Sequence, residues 1–99
     1  MARTTTAQIV IETIKAAEDR SGDIVIRLYE AAGSHARGGV ILEGLSDVRA
    51  VDGLERHVDA AWMKLDATDR VLLALRPFQL VTLRATPVRD AHHAPIREA

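Results

Sequence analysis

The amino-acid sequence predicts an all-β domain, an antiparallel β-sandwich of about 5–7 short strands. Three observations carry this. Ile24–Glu30 alternates cleanly, placing Ile24, Ile26 and Leu28 on one face and Val25, Arg27 and Tyr29 on the other. Ile9–Lys15 is rich in β-branched residues, which favour a pleated, half-buried surface. Turns containing Gly and Asp separate the strand-like segments, and nowhere does a strand alternate with a long helix.

Taken in order, Ile9–Lys15 is the first clear strand. It runs into Asp19, Ser21, Gly22 and Asp23, whose side chains and backbone freedom suit a turn. Ile24–Glu30 follows. The connection 31–39 is Gly-rich, and its Gly33, Gly38 and Gly39 fit a hairpin loop that needs positive φ. Val40–Glu43 is then expected to pair with Ile24–Glu30 as a hairpin. Val48–Asp52 reads as a short fourth strand.

The stretch Leu54–Leu65 is ambiguous. Leu54, Val58, Ala61, Trp62 and Leu65 are spaced as one helical face, so a short helical turn around 55–65 competes with an extended crossover. Arg70–Arg84 is too long for one ordinary strand. Proline cannot donate to a ladder, so Pro77 marks a corner where one strand ends and the chain passes to the other sheet. The domain therefore spans 1–85, and 86–99, with two prolines and no periodicity, reads as a loose tail.

Composition narrows the function. A chain 47% hydrophobic and 27% charged has an ordinary globular balance. Its net charge of −1 offers no basic excess for a phosphate backbone, so nucleic acid is not an expected partner. The absence of cysteine excludes disulfide and thiolate chemistry and favours, weakly, a cytoplasmic location. No apolar run reaches the roughly 20 residues of a membrane span, and Met1–Thr6 leads into a strand with no signal-peptide core. A membrane partner is therefore not expected.

Two segments go further. One contains Ile14-Lys15-Ala16-Ala17-Glu18-Asp19, then Gly22-Asp23, then Arg27-Leu28-Tyr29-Glu30-Ala31; the other is 71–84, VLLALRPFQLVTLR. In this order they resemble the opening and closing phrases of the C-terminal β-sandwich domain of glycoside hydrolase family 38 α-mannosidases. The resemblance covers roughly 9–84. Gln79 departs from it, standing where the family usually has glutamate, and 44–68 matches weakly. It implies a non-catalytic domain whose parent enzyme hydrolyses α-mannosidic bonds in mannose-containing glycans. The catalytic residues and a zinc or other divalent metal are then expected in the parent's catalytic domain, with no cofactor in this chain. The expected partner is the remainder of that enzyme, and a domain separated from it would expose a seam able to drive self-association.

The residues themselves offer few chemical motifs. Glu30 and Glu43 would approach each other only if their strands paired, and read best as solvated carboxylates. His35, His57, His92 and His93 lack metal-ligand spacing, and the Gly33–Gly39 stretch lacks the Lys-Ser/Thr of a phosphate loop. Arg27 and Tyr29 share one strand face and, with Glu30, form a candidate interdomain interface, since Tyr and Arg suit interfaces. The competing reading is a surface cross-strand pair. Trp62, the only tryptophan, is a candidate sugar-stacking platform set against an ordinary core role. The rival functions are a stand-alone carbohydrate-binding module and a small protein-interaction domain.

Overall fold

Two periods decide the architecture: alternate residues along each strand turn inward, and short polar turns reverse or transfer the chain. In the computed structural model, which describes residues 2–67 and 69–88, the result is an antiparallel β-sandwich. Its strands are β1 (Ala2–Thr4), β2 (Ile9–Ala16), β3 (Ile24–Glu30), β4 (Ala36–Leu42), β5 (Leu45–Val51), β6 (Met63–Ala67), β7 (Arg70–Leu75) and β8 (Leu80–Pro87). One sheet has the order β1-β4-β7-β6, the other β2-β3-β8-β5. Only β2–β3 and β6–β7 are consecutive strands paired within one sheet. Every other connection crosses from sheet to sheet.

The core lies between the sheets. Ile26, Leu28 and Leu83 face inward from one, and Val40, Leu42, Val71, Leu73 and Leu75 from the other, all at most 2% exposed. Fully burying each such side chain stabilises the fold by roughly 1.5–3 kcal/mol. Val25 and Val51 are buried too, but belong to the alternate register and lie outside this cluster. In register, Val25 stands between Lys15 and Arg84, so long charged side chains flank it on both sides.

The predicted sandwich is present, and Pro77 is the corner expected: β7 belongs to one sheet and β8 to the other. Four details differ. Among the described residues the strands number eight rather than 5–7, because three-residue β1 and the polar β6 (MKLDA) carry little apolar signal. β3 and β4 do not form a hairpin; β3 pairs with β2 and β8, while β4 pairs with β1 and β7. Gly38 and Gly39 lie inside β4, not in a loop. The segment proposed as a helical turn around 55–65 is a loop leading into β6. Its apolar spacing had no buried face to serve, since Leu54 is 73% and Leu65 56% exposed. Asp52 organises it instead, accepting from the backbone N–H of Leu54 (2.9 Å) and Arg56 (3.0 Å). His57 then bridges to Val51, and Val58 N–H reaches Ala50 O at 3.1 Å.

The tail boundary also moves. Thr86 and Pro87 complete β8, opposite Ser46 and Leu45. The rest of the proposed tail, 89–99, lies outside the described residues, with His92 and His93.

Gly38 and Gly39 let the β1–β2 crossover press against β4. Thr5 N–H donates to Gly39 O at 2.9 Å, and Gly39 N–H returns a bond to Thr5 Oγ1 at 2.8 Å. A Cβ on Gly38 would come within 2.5 Å of Thr6 Cγ2. Gly38→Ala is therefore expected to destabilise the domain by about 1–3 kcal/mol, read as a lower urea midpoint with unchanged slope.

Candidate interdomain face

The outward register of the β2 sheet carries the candidate face. Direct cross-strand partners share a side, and Tyr29 lies between Val10 of β2 and Leu80 of β8. Arg27, one step along, lies between Thr13 and Thr82. Both are half-buried. Among the described residues, no carboxylate comes within ion-pair distance of Arg27. Beside Tyr29 is an open groove of about 500 Å³, lined also by Val10, Ile11, Glu12, Phe78 and Leu80. Leu80 is 57% and Phe78 71% exposed, so this end of the sheet presents a concentrated apolar surface.

Glu30 parts company with Arg27 and Tyr29. Its parity is that of Ile26 and Leu28, and it is fully buried. Its carboxylate holds the end of the sandwich together: Oε2 accepts from Ala32 N–H (2.8 Å), and Oε1 from Gly33 (2.7 Å), Ser34 (3.2 Å) and Phe78 (3.0 Å). Burial alone would raise its pKa, but the four backbone donors outweigh that and hold it below the usual carboxylate range. With no exposed surface, Glu30 is not an interface contact. It shapes the face from beneath.

What it shapes is Phe78. The turn after β7 has Pro77 second and Phe78 third, and Phe78 takes φ 58°, the left-handed value a type II turn requires there. A bulky side chain in that conformation is strained. The turn is closed by Gln79, whose N–H reaches Arg76 O (3.0 Å) and whose side-chain Oε1 accepts from Arg76 N–H (2.9 Å). A neutral amide oxygen does this without charge. Gly33, at φ 78°, leaves room for the ring, since a Cβ there would meet Phe78 Cζ at 2.7 Å.

The sequence reading missed a second polar centre, at the other end of β3. Asp23 Oδ2 accepts from Arg84 Nε (2.7 Å) and Arg49 (2.6 Å), while Thr86 Oγ1 donates to Oδ1 at 3.0 Å. Arg84 also reaches Asp19 at 2.6 Å and Ser21 Oγ at 2.8 Å. The Arg84 guanidinium, aided by Ser21, holds the Asp19 carboxyl down to about 2. Arg84 is likewise the main influence depressing Asp23, against an opposing push from burial. Glu55 ties the 52–62 loop to this end, accepting from Glu18 N–H at 2.9 Å and pairing with Lys15 at 3.3 Å. Asp19, Ser21 and Asp23 were recognisable as turn formers. Their partners lie too far along the chain for any local signal.

The remaining candidates separate. Glu43 follows β4 and pairs with Arg3, at the end of that strand away from the loop held by Glu30. His35 is exposed, and His57 lies 3.9 Å from Asp59. Among the described residues, no group of three or more His, Asp or Glu is placed to hold a metal ion. Trp62 is half-buried, packs against the core and lines two grooves. One of these, of about 310 Å³, also touches Arg27 and Leu80 and so adjoins the Tyr29 face.

Comparison with known families gives one match. A family model described as glycosyl hydrolases family 38 C-terminal beta sandwich domain matches residues 8–83. No curated protein matches the chain significantly.

Proposed function

Because the chain belongs to the family of C-terminal beta sandwich domains of family 38 glycosyl hydrolases, we propose that it is the non-catalytic terminal domain of an α-mannosidase. Its mechanism is packing: it covers apolar surface on the rest of the enzyme and buttresses the catalytic domain. The parent hydrolyses α-mannosidic bonds in mannose-containing glycans, and its catalytic residues and divalent metal, zinc or another, belong to its catalytic domain. The observation that carries this reading is the Tyr29 face. A strained, exposed Phe78 braced by a buried carboxylate, with exposed Leu80 beside it and an Arg27 that has no carboxylate partner among the described residues, has the make-up of an interface centre.

Two measurements test it. An immunoblot of the native source with antibody against this chain should show a band many times heavier than 10.8 kDa. A band at 10.8 kDa would sink the proposal and leave a stand-alone interaction module. Arg27→Ala and Tyr29→Ala should lower the melting temperature of the isolated domain by no more than a few degrees, because each residue is only half-buried and lies on the outward face between cross-strand partners. In the whole enzyme the same changes should speed limited proteolysis at the domain junction several-fold.

A further inference from the structure

The β1 sheet carries a groove of about 470 Å³ on its outward register, on the opposite sheet from Tyr29 but sharing Trp62 with the smaller groove beside Arg27 and Leu80. Trp62 forms one wall, Gly39, Leu72 and Ala74 line the floor, and Arg37 and Lys64 are the cationic side chains. Register fixes this arrangement. Arg37 pairs with Ala74, whose N–H bonds Trp62 O at 2.9 Å, so these three residues form one row. Gly39, Leu72 and Lys64 form the next. Arg37 and Lys64 thus stand at opposite corners, rooted two strands and one row apart, or about 12 Å. Small residues and one leucine lie between them, and Trp62 stands at a third corner. Both cations are exposed, and among the described residues neither has a carboxylate within ion-pair distance. Thr5 Oγ1, also lining the groove, accepts from Gly39 N–H and keeps its own proton to donate.

From this we propose that the groove binds an anionic pyranoside, a sugar ring carrying a phosphate, sulfate or carboxylate. The apolar face of the ring lies against the indole and the Leu72–Ala74 floor. The anionic group meets the long Arg37 and Lys64 side chains, which reach toward it from their opposite corners and have no carboxylate partner among the described residues. Thr5 donates to a ring hydroxyl. A neutral sugar would leave both cations unused, and a bare anion would leave the apolar wall and floor wet. The inference does not rest on the packing role, since Arg37, Lys64 and the Leu72–Ala74 floor belong to the other sheet; Trp62 alone is shared with the smaller groove beside Arg27.

The test uses the whole chain, whose one tryptophan makes its fluorescence a reporter of this groove. Mannose 6-phosphate and glucuronate are titrated beside mannose and inorganic phosphate, the first two distinguishing a phosphate from a carboxylate preference. At least one charged sugar should give saturable quenching, with mannose and phosphate each roughly tenfold weaker or more. Arg37→Gln and Lys64→Gln, both at exposed positions, should each weaken that binding about five- to tenfold and leave the melting temperature unchanged. Equal binding by phosphate alone or mannose alone would overturn the proposal. So would wild-type affinity in both variants, or no saturable binding by either charged sugar.

Discussion

Glu30→Ala should lower the melting temperature of this domain by on the order of 10–20 °C, one of the two largest effects expected of polar substitutions in it. One carboxylate satisfies four backbone N–H groups drawn from both sides of the Glu30 end, three in the loop after β3 and one in the turn before β8. Removing it leaves donors without partners beside a void, and releases the turn that keeps Phe78 at positive φ. Glu30→Gln separates the two contributions. The amide retains an oxygen for the three donors at Oε1 but turns an NH₂ toward Ala32 N–H, so about half the loss should remain. Thermal unfolding followed by circular dichroism reads both variants. If Glu30→Ala melts within a few degrees of the wild type, the carboxylate is not the keystone of that end.

Asp23→Ala is the second large loss, roughly 3 kcal/mol, because it strands Arg84 and Arg49 at a site that is mostly buried. Asp23→Asn should cost less, since an amide oxygen at the Oδ2 position still accepts from both guanidiniums and its NH₂ can donate to Thr86 Oγ1. The same cluster contributes to the acid limb of stability, together with Glu30. Asp19 and Asp23 have folded pKa values below their unfolded ones, with Asp19 near 2 against an ordinary 3.8. Each therefore contributes stability that is fully present above about pH 4 and is lost as pH falls through the folded value. Urea midpoints should be flat from neutral pH to about 5 and then fall steeply toward pH 2. The Arg84→Met variant should show a shallower fall, since neither carboxylate would then be depressed by the guanidinium. A parallel acid limb in that variant would assign the pH dependence elsewhere.

The legibility of the molecule tracks how local each signal is. The alternation of Ile24–Glu30 and the corner at Pro77 are properties of short segments, and both predict what the structure contains. The false helical periodicity of Leu54–Leu65 shows the opposite case: apolar spacing implies a face only if something covers it, and nothing covers Leu54 or Leu65. The supposed β3–β4 hairpin failed because a Gly-rich connection is equally able to carry a chain across to the other sheet. Glu30 was legible in principle. It continues the even-numbered series Ile24, Ile26, Leu28, so alternation already placed a carboxylate facing the core; grouping it with Tyr29 by adjacency obscured this. The Asp23–Arg84 pair was not legible, because 61 residues separate the partners and only the β3–β8 register brings them together. The Arg37–Lys64 groove depended in the same way on β4 and β6 flanking β7.

The strand order also sets a timetable for biosynthesis. β8 is the last strand among the described residues, yet it lies between β3 and β5 and supplies a central position of its sheet. Until residues 80–87 leave the ribosome, the β2–β3 hairpin has a vacant partner edge and an uncovered apolar side. β5 has no neighbour in its sheet at all. Closure waits for β8 and must then unite β3 with a strand more than fifty residues downstream. Such non-local pairing places folding toward the millisecond-to-second regime, and it leaves the emerging chain dependent on protection from its neighbours in the interval before β8 arrives.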